Sequence, residues 1–226
     1  MTSTAGSTSH GGRLVCYAAE KNKNFILEVL RDKIIKNHDF EEARRNEGYK
    51  ILEIASGTGE HAALFAQSIP NVIYLPTEPD ASMHDSIRSW TKDVADKVLE
   101  PVAFDVNSHA SMHSILPESF TNNKVDIMIC INMIHISPFI ATDSLFYVAS
   151  KCLNKNGCFL TYGPYRVDGT MVESNQNFDL SLKARNPEWG IRDLEDVIQI
   201  AKKYNMVLHE KVSMPANNLS LIFRCL

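Results

Sequence analysis

One short segment constrains the fold of this chain more than any other: Ile51-Leu52-Glu53-Ile54-Ala55-Ser56-Gly57-Thr58-Gly59-Glu60-His61. An apolar strand runs into a turn holding two glycines, and such a turn feeds a helix. Gly57 and Gly59 allow positive φ and close approach of the backbone to a ligand, while the free N–H groups of the next helix face that ligand. The turn is therefore read as a nucleotide-type cofactor site, suited to a ligand that carries a carboxylate or other negative group.

Two cofactor classes use a turn of this kind. Gly57-x-Gly59-x-x-Ala62 fits the loose dinucleotide pattern, whose third glycine can be alanine, and Glu78 lies about where a ribose-binding acid is expected. NAD thus stays open by spacing. Two further acids, Glu53 before the turn and Asp105 after the apolar run Val102-Ala103-Phe104, favour S-adenosylmethionine. A sulfonium ligand with an amino group gains from carboxylates around it, whereas a pyrophosphate is opposed by them.

The apolar period sets the rest of the architecture. Ile26, Val29, Leu30 and Ile34 predict an amphipathic helix over 22–37, followed by a polar connector over 38–48. Strands are predicted at 50–54, 72–75, 102–104, 125–131 and 158–162, alternating with helices from about 60, from about 82, near 109–116 and near 140–152. This alternation means a parallel sheet covered by helices on both faces. Beyond a long loop from Gly163, a helix near 191–204 leads to extended runs at 206–212 and 219–223, which read as a terminal antiparallel hairpin.

With 226 residues and 44% hydrophobic content, the chain is read as one domain over 13–226, preceded by a disordered Ser/Thr/Gly-rich tail over 1–12. A formal net charge of −4, without a long basic block, argues against nucleic-acid partners. No apolar run is long enough to cross a bilayer, so no membrane partner is expected. The five cysteines form an odd set without a C-x-x-C pair, which suits reduced thiols in the cytoplasm or nucleus. No metal site is expected, since His109 and His113 form a lone pair without a third ligand.

Several further strings share a pattern. Tyr17-Ala18-Ala19-Glu20-Lys21-Asn22-Lys23, Glu53 to Ala62, Leu75-Pro76-Thr77-Glu78 and Cys130-Ile131-Asn132-Met133-Ile134-His135-Ile136-Ser137-Pro138 resemble the methyltransferase-like protein 26 family. Thr161-Tyr162-Gly163-Pro164-Tyr165, Arg185-Asn186-Pro187-Glu188-Trp189-Gly190 and Met214-Pro215-Ala216-Asn217-Asn218 are similar to it in the same order. The resemblance implies an α/β, Rossmann-like class I methyltransferase fold with a mostly parallel seven-stranded sheet ending in an antiparallel hairpin. It also implies S-adenosyl-L-methionine as cofactor, with Asp105 accepting from the adenine amine and Val106 offering a backbone N–H. The substrate stays unassigned by it.

The expected cofactor-binding set is Glu53, Ser56, Gly57, Gly59, His61, Glu78, Asp105, Val106 and Asn132. Glu53 either reaches the cofactor's amino group or orders the glycine turn by accepting its N–H groups. Glu78 is expected to hold the ribose hydroxyls, and Asp80 to cap the helix from Ser82. Met83 and Phe104 either cover the adenine or belong to the core. His61 either meets the cofactor's carboxylate or caps its helix.

Methyl transfer needs alignment first, and a base only when the acceptor arrives protonated. His135, at the end of the strand over 125–131 and with an ordinary pKa near neutrality, is the leading base or orienting group, alongside Asn132 and Ser137. A buried histidine satisfied by backbone is the alternative. Tyr162, Tyr165, Tyr17 and Asn22 are read as facing the substrate, with Glu20 beside them. Asn177, Asp179, Arg185, Trp189 and Arg192 are assigned to a cover formed by the long loop. The whole reads as a methyltransferase for a small molecule, with a protein acceptor as a second class. Its rivals are a catalytically silent cofactor-binding partner subunit and an NAD-dependent oxidoreductase.

Overall fold

The computed structural model describes residues 11–36, 48–122 and 124–226. Residues 1–10 of the expected tail over 1–12 and most of the connector over 38–48 lie outside the described residues, while the Gly11 carbonyl accepts from the Ser89 hydroxyl. Contacts divide the chain into two compact units, one ending at Asp105 and the other running from Val106 to Leu226.

The first unit opens with helix α1, Tyr17–Val29, which widens into a π-type turn over Leu30–Ile35. Ile26, Val29, Leu30 and Ile34 are all buried, as their spacing predicts. The helix starts five residues before the predicted 22 because most of its first turn is exposed and so leaves no apolar period in the sequence. Strand β1, Tyr49–Ile54, runs into the glycine turn, and α2, Glu60–Ser68, leaves it. Strand β2, Val72–Thr77, pairs in parallel with β1 in a register that sets Ile51 beside Tyr74 and Glu53 beside Pro76. Helix α3, His84–Thr91, follows a single 3-10 turn at Ala81–Met83.

The predicted strand over 102–104 does not form. The chain touches β2 only at two isolated bridges, Tyr74 with Val98 and Thr77 with Val102. Between them Glu100-Pro101 breaks the ladder, since proline has no N–H to donate. Ala103 and Asp105 are exposed, so the three-residue apolar run lacks the two-sided burial of a central parallel strand.

In the second unit, the predicted helix near 109–116 is a 3-10 segment, Val106–Ser111, and one short helix α4, Met112–Ile115. Strand β3, Val125–Ile131, is buried along its whole length and pairs in parallel with β4, Leu153–Gly163. Helix α5, Ile140–Cys152, joins them. Phe146 on α5 meets Phe159 and Phe223 edge-on at 5.2 and 4.9 Å, a geometry favoured by the ring quadrupoles.

The loop expected after Gly163 is mostly ordered secondary structure. Strand β5, Tyr165–Arg166, pairs with β6, Arg192–Asp193, around helix α6, Glu173–Arg185. Helix α6 has no apolar stripe to betray it: its buried residues are Asn175, Asp179 and Leu182. Helix α7, Leu194–Lys203, then leads to the expected hairpin, β7 at Met206–Met214 and β8 at Asn218–Cys225. Strand β8 lies antiparallel to both β4 and β7.

The two larger ladders thus contain two strands in the first unit and four in the second. Besides the two-residue strands β5 and β6, six strands stand where seven were expected among the described residues, with β1–β2 and β3–β4 parallel and β4–β8 and β7–β8 antiparallel. The molecule is an α/β protein with mixed strand directions.

Candidate functional site

The glycine turn holds the geometry that its sequence requires. Gly57 and Gly59 have φ of 56° and 95°. A Cβ on Gly59 would stand 2.7 Å from the Ile87 Cα, so close packing of the turn on α3 demands glycine there. A Cβ on Gly57 would meet no heavy atom within 4 Å. Gly57 is thus needed for its backbone angle, and its side faces open space into which a ligand can fit.

Two buried carboxyl groups flank this turn. Glu78, just past β2, accepts the Gly57 N–H at 2.9 Å and the Asp80 N–H at 3.1 Å, one on each oxygen. It is Glu78, therefore, and not Glu53, that orders the turn. A carboxylate has about four acceptor directions, so two remain for ligand hydroxyls. Burial raises its pKa, and the two backbone N–H groups oppose that rise. His84 fixes the segment from behind, donating from Nε2 to the Glu78 carbonyl at 2.8 Å. Asp80 caps the following 3-10 turn by accepting from the Ser82 N–H, as its sequence context predicts.

Glu53 is 1% exposed on β1. Its Oε2, the Ser56 hydroxyl and the Tyr74 hydroxyl are buried with no hydrogen-bond partner among the described residues. Burial drives the Glu53 pKa up to about 7, with the Glu78 charge adding to the rise and the nearby Ser56 and Tyr74 hydroxyls opposing it. Buried polar groups are normally satisfied, and an unpartnered carboxyl oxygen with two unpartnered hydroxyls forms a polar cradle that a ligand's amino group fits.

His61 makes no cap hydrogen bond to its own helix. It is buried, and its Nε2 donates to the Asn22 Oδ1 at 2.7 Å, a bond from α2 to α1. Burial pushes its pKa down to about 3, with Lys23 adding to the effect, so the ring is neutral. Asn22 is buried and commits its Oδ1 to this bond. Tyr17 is exposed, with Lys21 stacked over its ring, and Glu20 is exposed beside it. Phe104 is buried core and Met83 is half-buried, while Asp105 is exposed and Val106 is buried.

Residues without a sequence signal complete the first unit's scaffold. Glu60 accepts the Cys16 N–H at 2.7 Å and pairs with Lys23 at 3.2 Å, its own side chain 1% exposed. Ser86 donates to the Thr58 carbonyl within the glycine turn and accepts the Leu14 N–H. Trp90 donates to the Leu14 carbonyl. These bonds order the segment before α1, but no spacing rule announces them.

In the second unit, Asn132 follows β3 with φ of 61° and donates its N–H to the Tyr162 carbonyl at 2.9 Å. His135 sits on a 3-10 turn, Ile134–Ile136, buried against the edge of Phe178 at 5.6 Å. Its carbonyl accepts the Gly190 N–H, but its ring nitrogens make no hydrogen bond among the described residues. A Cβ on Gly163 would lie 3.1 Å from His135 Nδ1, so the missing side chain there makes room for the ring. Burial lowers the His135 pKa to about 4, with Arg192 and Arg185 adding to the shift. The near-neutral value expected from sequence is thus corrected: His135 is a neutral acceptor, and it is not satisfied by backbone.

The other residues assigned to a cover divide by their bonds. Tyr162 is buried on β4. Tyr165 bonds Thr161 through its hydroxyl at 2.9 Å, and burial raises its pKa, so it is committed to the core rather than to a substrate. Asp179 accepts the Ile191 N–H at 2.8 Å and pairs with Lys183 at 2.6 Å. Arg192 donates to the carbonyls of Ile134, Ser137 and Glu188. Ser137 donates to the Met133 carbonyl. Arg185 stacks on Trp189 at 5.6 Å, and Asn177 is exposed on α6. The segment expected to form a cover is a bonded substructure in which Asp179 and Arg192 act as fasteners.

The model of a family described as a protein of unknown function (DUF938) matches residues 13–225. Among solved structures, the pyocyanin biosynthetic protein PhzM is similar at 14% identity with a TM-score of 0.69, over 92% of this chain and 56% of its own. CalO1, a methyltransferase in calicheamicin biosynthesis solved with SAH bound, is similar at 11% identity and a TM-score of 0.67, covering 92% of this chain and 55% of that one. An O-methyltransferase family protein from Burkholderia thailandensis gives 11% identity and a TM-score of 0.67, over 92% and 59%. The chain thus has the fold of these structures while spanning little more than half their length.

Proposed function

We propose that this chain, which belongs to the DUF938 family, is an S-adenosylmethionine-dependent methyltransferase acting on a small molecule. One observation carries the reading: two buried carboxyl groups, Glu53 and Glu78, flank a glycine turn whose open side would accept a ligand. Glu78 has acceptor capacity left for two ribose hydroxyls, each such charged bond being worth about 1.5–3 kcal/mol. Glu53, with Ser56 and Tyr74 around it, suits an amino group. The fold likeness to CalO1, solved with SAH bound, and the resemblance to the methyltransferase-like protein 26 family support the same cofactor, and the biosynthetic roles printed for CalO1 and PhzM support a small-molecule acceptor.

When bound, S-adenosylmethionine supplies a methyl group activated by its sulfonium. The chain's own residues then bind, orient and exclude water. In this reading Asp105 of the first unit accepts from the adenine amine, and within the second unit Tyr162 orients the acceptor. His135 accepts a proton from an acceptor hydroxyl through a free ring nitrogen. With a pKa of about 4 it is a weak base, so it serves by positioning and by taking the proton late, when the acceptor oxygen is already becoming cationic.

Titration calorimetry with S-adenosylmethionine, S-adenosylhomocysteine and NAD tests the cofactor, and labelled methyl transfer into small-molecule and protein fractions of a lysate tests the acceptor. Tight binding without transfer to either fraction would favour a silent partner subunit, and NAD binding alone would favour an oxidoreductase.

A further inference from the structure

The register of β1 and β2 places Tyr74 two residues before Pro76, the partner of Glu53. In a strand pair, residues two apart share a face, so Tyr74 and Glu53 project to the same side, one step apart along the ladder. Pro76 offers no N–H beside the carboxyl. Ser56 follows in the turn. All three side chains are buried, at 1% exposure for Glu53, 5% for Ser56 and 0% for Tyr74, and each holds an oxygen without a partner. No ion pair reaches Glu53 among the described residues. The groups that act on it are Ser56 from the turn, Tyr74 from β2 and Glu78 from the tip of β2, of which only Glu78 adds a competing charge.

Resting on the cofactor reading above, we infer that Tyr74 is a positioning residue which, with Ser56, holds the Glu53 carboxyl as a proton-exchanging receptor for the cofactor's ammonium group. With no cation beside it, the carboxyl keeps its proton, because an isolated buried carboxylate is costly. When an ammonium arrives, the carboxyl O–H bond breaks, the proton passes to solvent, and the carboxylate left behind accepts from the ammonium and from the Tyr74 and Ser56 hydroxyls. One positive charge enters and one proton leaves, so the net charge of the buried cluster is conserved. The raised proton affinity of Glu53 agrees with this geometry. Affinity for an ammonium-bearing ligand therefore weakens up to tenfold for each pH unit below neutrality, until the bound-state carboxyl itself protonates.

The test uses the full chain and S-adenosylhomocysteine, which keeps the amino acid group and lacks the sulfonium charge. Titrations between pH 6 and 8, in buffers of different ionisation enthalpy, read the protons released on binding. The wild type is expected to release about half a proton near pH 7. Glu53→Gln should still bind and release none. Tyr74→Phe should bind, with its release profile displaced to higher pH by the loss of one donor to the carboxylate. Equal release by wild type and Glu53→Gln, or none from a wild type that binds, would overturn the inference. An undisplaced profile in Tyr74→Phe would remove Tyr74 from it. A wild type that binds neither S-adenosylmethionine nor S-adenosylhomocysteine would instead overturn the cofactor reading, and this inference with it.

Discussion

The glycine turn of the first unit and the segment over 163–193 of the second were both marked by sequence as functional, yet they use their polar atoms in opposite ways. Around the turn, Glu53, Ser56 and Tyr74 keep buried oxygens without partners, and Glu78 has acceptor directions to spare. Along 163–193, Asp179, Tyr165 and Arg192 spend theirs on backbone and neighbouring side chains. The contrast teaches that a charged or aromatic residue in a patterned loop is a candidate until its bonds are counted. Unspent buried polarity points to a ligand, whereas spent polarity points to the scaffold.

The sharpest way to break this contrast is at Gly59. Gly59→Ala puts a Cβ 2.7 Å from the Ile87 Cα at a φ of 95°, and overpacking with left-handed strain should cost about 3 kcal/mol, read as a large fall in Tm. Glu78→Ala comes next: it should weaken cofactor binding between tenfold and a hundredfold by calorimetry, the loss of about 1.5–3 kcal/mol of charged hydrogen bonding. Asp179→Ala should behave in the opposite manner. Removing a buried acceptor from the Ile191 N–H should lower stability by about 1–3 kcal/mol in denaturant while leaving cofactor affinity unchanged. A loss of affinity without a loss of stability there would erase the distinction.

Smaller effects concern pH. The depressed pKa values of His61 and His135, about 3 and about 4, mean that the unfolded chain binds protons the folded one refuses. Their contribution is present above the unfolded value of 6.5 and is lost as pH falls toward 4. Glu53 acts with the opposite sign, because its raised pKa of about 7 gives stability that is present below 4.5 and lost as pH rises through 7. In urea titrations at several pH values, His135→Gln should flatten the acid limb between 6.5 and 4, and it should also slow turnover without changing cofactor affinity. Smallest of all is Asn177→Ala on the exposed side of α6, expected to shift stability by less than about 0.5 kcal/mol.

Much of the architecture was legible because its signals are apolar. Strand β3 and helix α5 have the predicted bounds, and the terminal hairpin follows from two extended runs around Pro215. The strand over 102–104 was misread because three apolar residues resemble a strand until Pro101 and the exposed Ala103 are set against a real ladder. Helix α6 was invisible because its buried residues include an asparagine and an aspartate, a face that periodicity counts as polar. In the site, Gly57, Gly59 and Glu78 could be marked by spacing, and Glu53 by the charge a sulfonium ligand favours. The pairing of His61 with Asn22 could not, since it joins two helices 39 positions apart. Nor could Tyr74, whose place beside Glu53 depends on the register of β1 with β2.

The account stands most directly on one titration, the wild-type chain against S-adenosylhomocysteine at neutral pH, with NAD as the comparison. It predicts saturable binding of the nucleoside thioether, weakened at least tenfold by Glu78→Ala, with none for NAD. No heat or structural response to the thioether at millimolar concentration, from a sample shown to be folded, would contradict it.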